Sequence, residues 1–399
     1  MPWTHLLASR SSRMKASEIR ELLKLLDQPD ILSFAGGIPD PALFPTSAYK
    51  DAFAEALTDP AALQYSVSEG YLPLREWIAG QMAALGIPCT ARHILITSGS
   101  QQALDYLGKL LLSPGDTALV TWPTYLGALG AFNAYEAAYD RLDPQDNRPP
   151  SEIATKAEAA GGRVKFAYLS PDFANPTGET LDLAARQAIL TQARALDIAV
   201  IEDAAYQVLR YDGAPVPPLL ALDIAREGSI EASRVIYCGS FSKSLAPGLR
   251  LGWVCAATPV IQRLVLMKQA ADLHSASINQ IVTNTVARAI MDTHVATLRT
   301  TYAARRDAML AALAREMPPG VTWTRPEGGM FVWVTLPAHI DAGDLLARSL
   351  ATEKVAFVPG RAFFADGSNG NTLRLSFSCA TPEIIAEGMS RLGRLIRSA

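Results

Sequence analysis

Lys243 lies in Ser240-Phe241-Ser242-Lys243-Ser244, between the apolar run Val235 to Gly239 and a Pro247-Gly248-Leu249-Arg250 turn that leads into further apolar residues. A lysine between apolar runs can snorkel to solvent. Held away from water among other cations, it can instead lose its proton and attack a carbonyl as a neutral amine. Ser240, Ser242 and Arg250 add donors suited to a phosphate. Ser98-Gly99-Ser100-Gln101-Gln102 joins the apolar run Ile94 to Thr97 to a helical pattern. Unsatisfied N–H groups at a helix start attract the same anion, although such a turn also serves as an ordinary cap. The run Ile198 to Ile201 ends in Glu202-Asp203, with Tyr206 three residues on. A carboxylate there can hold a positive charge on a ligand, or act as a cap or ion-pair partner. Ser170-Pro171-Asp172-Phe173-Ala174-Asn175-Pro176-Thr177-Gly178 is dense in turn formers; it is a surface turn, or it offers the Asn175 amide with Pro176 holding that residue extended. Arg374, flanked by Leu373 and Leu375, needs an anion if it is buried: an internal carboxylate, or one on a substrate gripped by its planar fork.

The elements that position these residues follow from periodicity. Strand candidates are Ile94 to Thr97, Thr117 to Thr121, Val164 to Leu169, Ile198 to Asp203, Val235 to Gly239 and Leu251 to Ala256, with helical spacing in Gln101 to Leu112 and Leu183 to Leu196. The alternation predicts an α/β fold whose mostly parallel sheet is covered by helices on both faces. Ligands of such sheets bind beyond the carboxyl ends of the strands, where most of the residues above fall. After about Asp292 a long helical pattern through Arg315 gives way to Pro318-Pro319-Gly320, strands near Val321 and from Met330 to Leu336, a strand Leu373 to Phe377 and a helix announced by Thr381-Pro382. Thr258-Pro259 gives the same start signal. This change of rhythm predicts a second, smaller domain.

Composition narrows the function classes. With 399 residues, 49% hydrophobic and 19% charged, the chain is ordinary globular material with a sizeable core. Lys plus Arg number 36 against 39 acidic residues, a net charge of −3, so no global field holds a nucleic acid. The uncharged stretch from Thr117 to Tyr135 is broken by Pro123 and Gly127 and reads as strand, loop and helix, not a membrane span. No secretory signal is expected at the start, and the location expected is cytoplasmic. Cys89, Cys238, Cys255 and Cys379 are too scattered for a metal site and are expected to be buried free thiols. No phosphate-binding Gly-x-x-x-x-Gly-Lys-Ser/Thr, no Gly-x-Gly-x-x-Gly after a strand and no His-Glu-x-x-His is present, so nucleotide hydrolysis, dinucleotide redox and metal hydrolysis are disfavoured.

The ordered set Ser100-Gln101, Asn175-Pro176-Thr177-Gly178, Asp203-x-x-Tyr206, Ser240-x-Ser242-Lys243 and Arg250, closed by Arg374, resembles the fold-type I aminotransferases dependent on pyridoxal phosphate. The resemblance implies a large domain on a mostly parallel seven-stranded sheet sandwiched by helices, over residues 46–292, and a smaller α+β domain over 293–399. Residues 1–45 would form an N-terminal arm and helix belonging to the small domain and the substrate entrance. It further implies that Lys243 bonds the cofactor and later shuttles the proton, and that Asp203 pairs with the pyridinium nitrogen. Asn175 and Tyr206 would bind the ring oxygen and Tyr125 would lie over the ring. Gly99, Ser100, Gln101, Ser240, Ser242 and Arg250 would take the phosphate, and Arg374 the substrate α-carboxylate, beside Asn175. Tyr65, in Gln64-Tyr65-Ser66, would reach the phosphate of a second subunit, making the active unit a homodimer.

Ile19 to Leu23 and Ile31 to Pro39 are similar to the 2-aminoadipate and kynurenine aminotransferase branch. In that branch Arg20 would meet a distal substrate carboxylate, unless it belongs to a solvated helix face, and Gly36-Gly37 would border the substrate entrance. The implied reaction moves the amino group of a 2-aminoadipate-like, aromatic or branched-chain L-amino acid to a 2-oxo acid such as 2-oxoglutarate, with ping-pong kinetics. A β-lyase or decarboxylase on the same fold is the alternative. A regulator that only senses the cofactor would need a DNA-binding module, which is not expected ahead of the first helical pattern.

Overall fold

The computed structural model describes residues 3–14, 30–145 and 148–399. The helices are α1 (Thr46–Ala56), α2 (Leu72–Ala84), α3 (Ser100–Leu111), α4 (Leu126–Asn133), α5 (Pro150–Ala159), α6 (Leu183–Ala195), α7 (Leu219–Glu227), α8 (Thr258–Gln269), α9 (Ser277–Glu316), α10 (Ala342–Arg348) and α11 (Pro382–Arg397). The strands of the large sheet are β2 (Ile94–Thr97), β3 (Thr117–Val120), β4 (Ala138–Arg141), β5 (Val164–Leu169), β6 (Ala199–Asp203), β7 (Val235–Ser240) and β8 (Gly252–Cys255), in the order β2-β8-β7-β6-β5-β3-β4. Only β8 runs against its neighbours.

This is the mostly parallel seven-stranded sheet expected, and the predicted strands match to within a residue or so at each end. β4 was not foreseen. Ala138-Tyr139-Asp140-Arg141 is an edge strand whose polar residues hide the strand pattern, and Asp140 is buried against Lys156 at 2.6 Å and Arg148 at 3.0 Å.

Alternate residues of the central strands enter opposite cores, which is why those strands read as unbroken apolar runs. Ala167, Leu169, Val200, Val235 and Tyr237 pack on one face. Phe166, Tyr168, Ile201, Ile236 and Cys238 pack on the other. The same alternation divides the two carboxylates that end β6. Glu202 accepts hydrogen bonds from the Leu219 and Leu220 N–H groups at 2.8 and 2.9 Å, capping α7. Asp203 points the opposite way.

A second sheet, β12-β13-β10-β9, is antiparallel and comprises β9 (Thr322–Trp323), β10 (Phe331–Thr335), β12 (Val358–Pro359) and β13 (Thr372–Ser376). A separate pair joins β1 (Leu32–Ser33) to β11 (Val355–Ala356) in parallel and leads the Phe34 to Asp40 segment past β13. The 40-residue α9 puts Val282 and Val286 into the large-sheet core and Leu298, Tyr302 and Leu313 into the small-sheet core, running unbroken through residue 292.

Thr381 caps α11 as expected, accepting from the Ile384 N–H. Thr258 does not act as a cap. It lies inside α8, and the Glu231 carboxylate accepts from both its N–H and its hydroxyl. Cys238 and Cys255 are buried and Cys89 is half-buried, but Cys379 is exposed just beyond β13, with its thiol 3.4 Å from the Ile38 carbonyl. All four thiols are free. Among the described residues no helix is long and apolar enough to cross a membrane, and no cluster of His, Cys, Asp and Glu could hold a metal ion.

Burial raises the Glu202 pKa from 4.5 to about 7, against the pull of the two N–H donors. The stability tied to its protonated form is therefore complete below pH 4.5 and lost as the pH rises through 7. A Glu202→Gln variant places a neutral group with one carbonyl acceptor in the same site, and it does not titrate. In urea denaturation the parent is expected to lose stability relative to this variant as the pH rises from 4.5 through 7.

Candidate active site

The ends of the parallel strands meet β13 and the Phe34 to Asp40 segment around Lys243, which stands just beyond the end of β7. Its Nζ donates to the Gly37 carbonyl at 3.0 Å and lies 5.8 Å from the centre of the Tyr206 ring. Burial pulls the amine down from 10.5 to about 8; the positive charges of Arg374 and Arg250 add to this, and Cys379 and Asp203 oppose it.

Asp203 is held by a residue the sequence did not single out. Tyr168 donates to Oδ2 at 2.8 Å, while Oδ1 is buried with no partner among the described residues. Burial raises this carboxyl to about 6, tempered by the Tyr168 bond, the Ala205 N–H and the charge of Lys243. Tyr168 pairs with Ile201 in the β5–β6 register, so it shares a sheet face with Asp203 two residues on. That parity is the signal that finds it once the two strands are known to be neighbours.

Arg374 is 1% exposed. Nη1 donates to Asn175 Oδ1 and Nη2 to the Ala35 carbonyl, both at 2.7 Å, and the buried Nε has no partner among the described residues. The guanidinium carbon lies 4.3 Å from the centre of the Phe331 ring and 5.1 Å from that of Phe363, two more residues missed because each sits in an ordinary apolar run. Among the described residues no carboxylate pairs with Arg374, so the internal ion pair considered from the sequence is not what its burial serves. Burial lowers its pKa from 12.5 to about 10, so it stays charged at neutral pH. Asn175, preceding a cis peptide bond to Pro176, also hydrogen-bonds the buried Tyr206 phenol. Gly37 is confined: a Cβ there would meet the Phe331 ring at 3.0 Å and Arg374 Nη2 at 3.5 Å.

Next to this cluster lies a cradle of donors. Gly99 opens α3 with φ +78°, and a Cβ on it would come within 2.5 Å of Arg250 Nη2. Gly252 lets β8 pass under the same turn, where a Cβ would lie 2.7 Å from the Ser100 nitrogen. The Ser242 N–H donates to Ser240 Oγ at 3.0 Å. Gln101 Nε2 donates to the Gly127 carbonyl at 2.7 Å, and the Tyr125 phenol donates to Gln101 Oε1 at 3.4 Å, which ties Tyr125 to the helix start.

Within one chain the structure thus brings together Lys243, Asp203, Tyr206, Asn175, Arg374 and Gly37, with Gly99, Ser100, Gln101, Tyr125, Ser240, Ser242 and Arg250 alongside. Tyr65 stands apart. It is 79% exposed, and its ring packs edge-on against His274 at 5.8 Å. Arg20 lies outside the described residues.

A family model for class I and II aminotransferases matches residues 29–392. The chain belongs to that family. As a class I/II aminotransferase it is 43% identical over 392 residues to the aromatic-amino-acid aminotransferase 1 of Thermococcus litoralis, covering 96% of this chain and 92% of that protein. It is similar to the crystal structure of the alpha-aminoadipate aminotransferase of Thermus thermophilus complexed with N-(5'-phosphopyridoxyl)-L-leucine, at TM-score 0.88 and 40% identity over 100% of this chain and 99% of that one. The kynurenine aminotransferase of Pyrococcus horikoshii, solved in complex with PMP, KYN and KYA, gives TM-score 0.90 and 42% identity, covering 99% and 97%.

The electrostatics of this aminotransferase site make a prediction independent of any ligand. Labelling of Lys243 by a small amine-directed electrophile, followed across pH by peptide mass spectrometry, is expected to show a midpoint of about 8. In Arg374→Met that midpoint moves up toward the ordinary 10.5, because one cation facing the amine is gone.

Proposed function

We propose that the protein is a pyridoxal 5'-phosphate-dependent aminotransferase that moves the amino group of a 2-aminoadipate-like, aromatic or branched-chain L-amino acid to a 2-oxo acid such as 2-oxoglutarate. One observation carries this reading: a lysine with its pKa pulled down to about 8 shares a cleft with a buried arginine that has no counter-ion among the described residues and with a carboxylate whose Oδ1 has no donor among them. A phosphorylated pyridine aldehyde and an α-amino acid supply the missing partners. The orphan Oδ1 of Asp203 suits a ring N–H donor, and the Gly99–Arg250 cradle, which a Cβ would fill, suits a phosphate.

In this reading Asp203 holds the ring nitrogen, and Asn175 and Tyr206 the ring oxygen. Tyr125 covers the ring face, and Gly99, Ser100, Gln101, Ser240, Ser242 and Arg250 take the phosphate. When bound, the cofactor supplies an electrophilic carbon and a charged ring that draws electrons from the substrate Cα. Arg374 grips the substrate carboxylate bidentately, with Asn175 steadying Nη1 and Gly37 leaving room at the entrance. Lys243 Nζ would hold the cofactor at rest; as a free amine with its pKa lowered to about 8 it has a neutral fraction at physiological pH that would take the Cα proton and later return it.

The same proposal includes a division into residues 1–45, 46–292 and 293–399, a cytoplasmic location and a homodimer. Free thiols throughout accord with a reducing compartment. Tyr65 at 79%, Leu63 at 68% and Val67 at 57% exposure form an apolar surface that a second copy would cover, presenting Tyr65 to that copy's phosphate site. Arg20 is proposed to meet a distal substrate carboxylate.

Single amino acids added to the cofactor-loaded protein are expected to yield the matching 2-oxo acid, with parallel double-reciprocal plots in steady state. Release of ammonia, thiol or carbon dioxide instead would favour the lyase or decarboxylase alternative. Lys243→Ala is expected to abolish turnover. Arg374→Met removes one partner of a buried charge pair, worth about 2–5 kcal/mol, so kcat/KM for amino acids should fall by roughly 30- to 4,000-fold.

A further inference from the structure

Lys268, at the C-terminal end of α8, is fully buried and takes no part in the chemistry above. Its Nζ donates to Gln102 Oε1 at 2.9 Å, Asp272 Oδ1 at 3.0 Å and Ser275 Oγ at 3.0 Å, which accounts for all three ammonium protons. Each acceptor leads to the turn before α3. Gln102 Oε1 also accepts from the Ser98 N–H at 2.8 Å, and its Nε2 donates to Asp272 Oδ2 at 2.7 Å. Asp272 Oδ2 accepts from Ser98 Oγ at 3.2 Å, and Ser275 Oγ lies 3.2 Å from the same hydroxyl.

We infer that Lys268, acting through Gln102, Asp272 and Ser275, is a positioning residue that fixes the Ser98–Gly99–Ser100 turn in the form that receives the cofactor phosphate. The inference rests on the proposed reading of that turn as the phosphate site. Gly99 has φ +78° and no side chain to restrain it; Thr97 Oγ1 donates to its carbonyl at 2.9 Å, and the positions of Ser98 and Gln102 on either side have to be imposed from elsewhere. A buried ammonium whose protons are all used is a rigid anchor, because moving any acceptor leaves a charge unpaired away from water. The site gains a fixed array of N–H donors without an additional cation in contact with the phosphate. The segment from Asp272 to Ser275 also carries His274, against which Tyr65 packs, and the Ser275 carbonyl accepts from Gln280 Nε2 at 2.7 Å.

The test compares two ligands that differ only in the phosphate. Full-length apoprotein is titrated with pyridoxal phosphate and with pyridoxal, following cofactor absorbance, for the parent, Lys268→Met, Gln102→Met and Arg250→Met. Loss of a hydrogen bond to a charged group predicts that Lys268→Met and Gln102→Met each raise the Kd for pyridoxal phosphate by about 10- to 100-fold and leave that for pyridoxal unchanged. Equal weakening of both ligands, or no change in either, overturns the inference, since a merely structural role does not distinguish them. Gln102→Met retains the Lys268–Asp272 pair, so it decides the matter if Lys268→Met does not fold. If Arg250→Met changes the ratio of the two affinities while the other variants do not, only the positioning role fails. If Arg250→Met leaves the ratio unchanged as well, the phosphate site itself has been placed wrongly.

Discussion

Two cations, Lys243 and Arg374, share a buried cleft: burial and the charge of Arg374 lower the hold of Lys243 on its proton, and burial lowers that of Arg374. Taking one charge out of water without a counter-ion is costly, and two of like sign more so. Arg374 is sustained by two acceptors and two phenylalanine faces rather than by an anion, while Lys243 is eased toward its neutral form. An amine whose pKa is lowered to about 8 has a neutral fraction near physiological pH that can attack a carbonyl, and a buried guanidinium with an unused Nε can bind a carboxylate. In the proposed reading, a substrate supplies the missing anion and a cofactor the carbonyl.

The large sheet makes this arrangement possible through alternation. Successive residues at the end of β6 carry two carboxylates to opposite faces: Glu202 caps α7, and Asp203 faces the cleft, where Tyr168 from the neighbouring strand steadies it. A strand end fixed from one side holds its neighbour still on the other. The turn before α3 is braced in the same spirit by the buried network around Lys268. The rest of the site is delivered by β13 and the Phe34 to Asp40 segment, joined to the large sheet through the Arg374–Asn175 bond.

Much of this was legible in the sequence because the cleft residues follow apolar runs whose strand character is plain, and because their order matches a known cofactor family. Lys243, Asp203, Asn175 and Arg374 were found that way. Tyr168, Phe331 and Phe363 were not, since an aromatic residue in an apolar strand is ordinarily core, and only strand register or a packed arginine gives it another role. The β4 edge strand was hidden by its polar pairing with Lys156 and Arg148. Thr258-Pro259 does mark the start of α8, but the capping acceptor is a carboxylate distant in sequence, Glu231, and not the threonine hydroxyl. In each case the deciding partner lies well outside the local window, whether farther along the chain or on another strand, which local periodicity does not record.

The central claim is that the depressed amine of Lys243 is the one that bonds the cofactor. Loading the protein with pyridoxal phosphate, reducing with borohydride and mapping the modified peptide by mass spectrometry tests this directly. The account predicts a single phosphopyridoxyl group, carried on Lys243. Modification of a different lysine, or none at all, would contradict it.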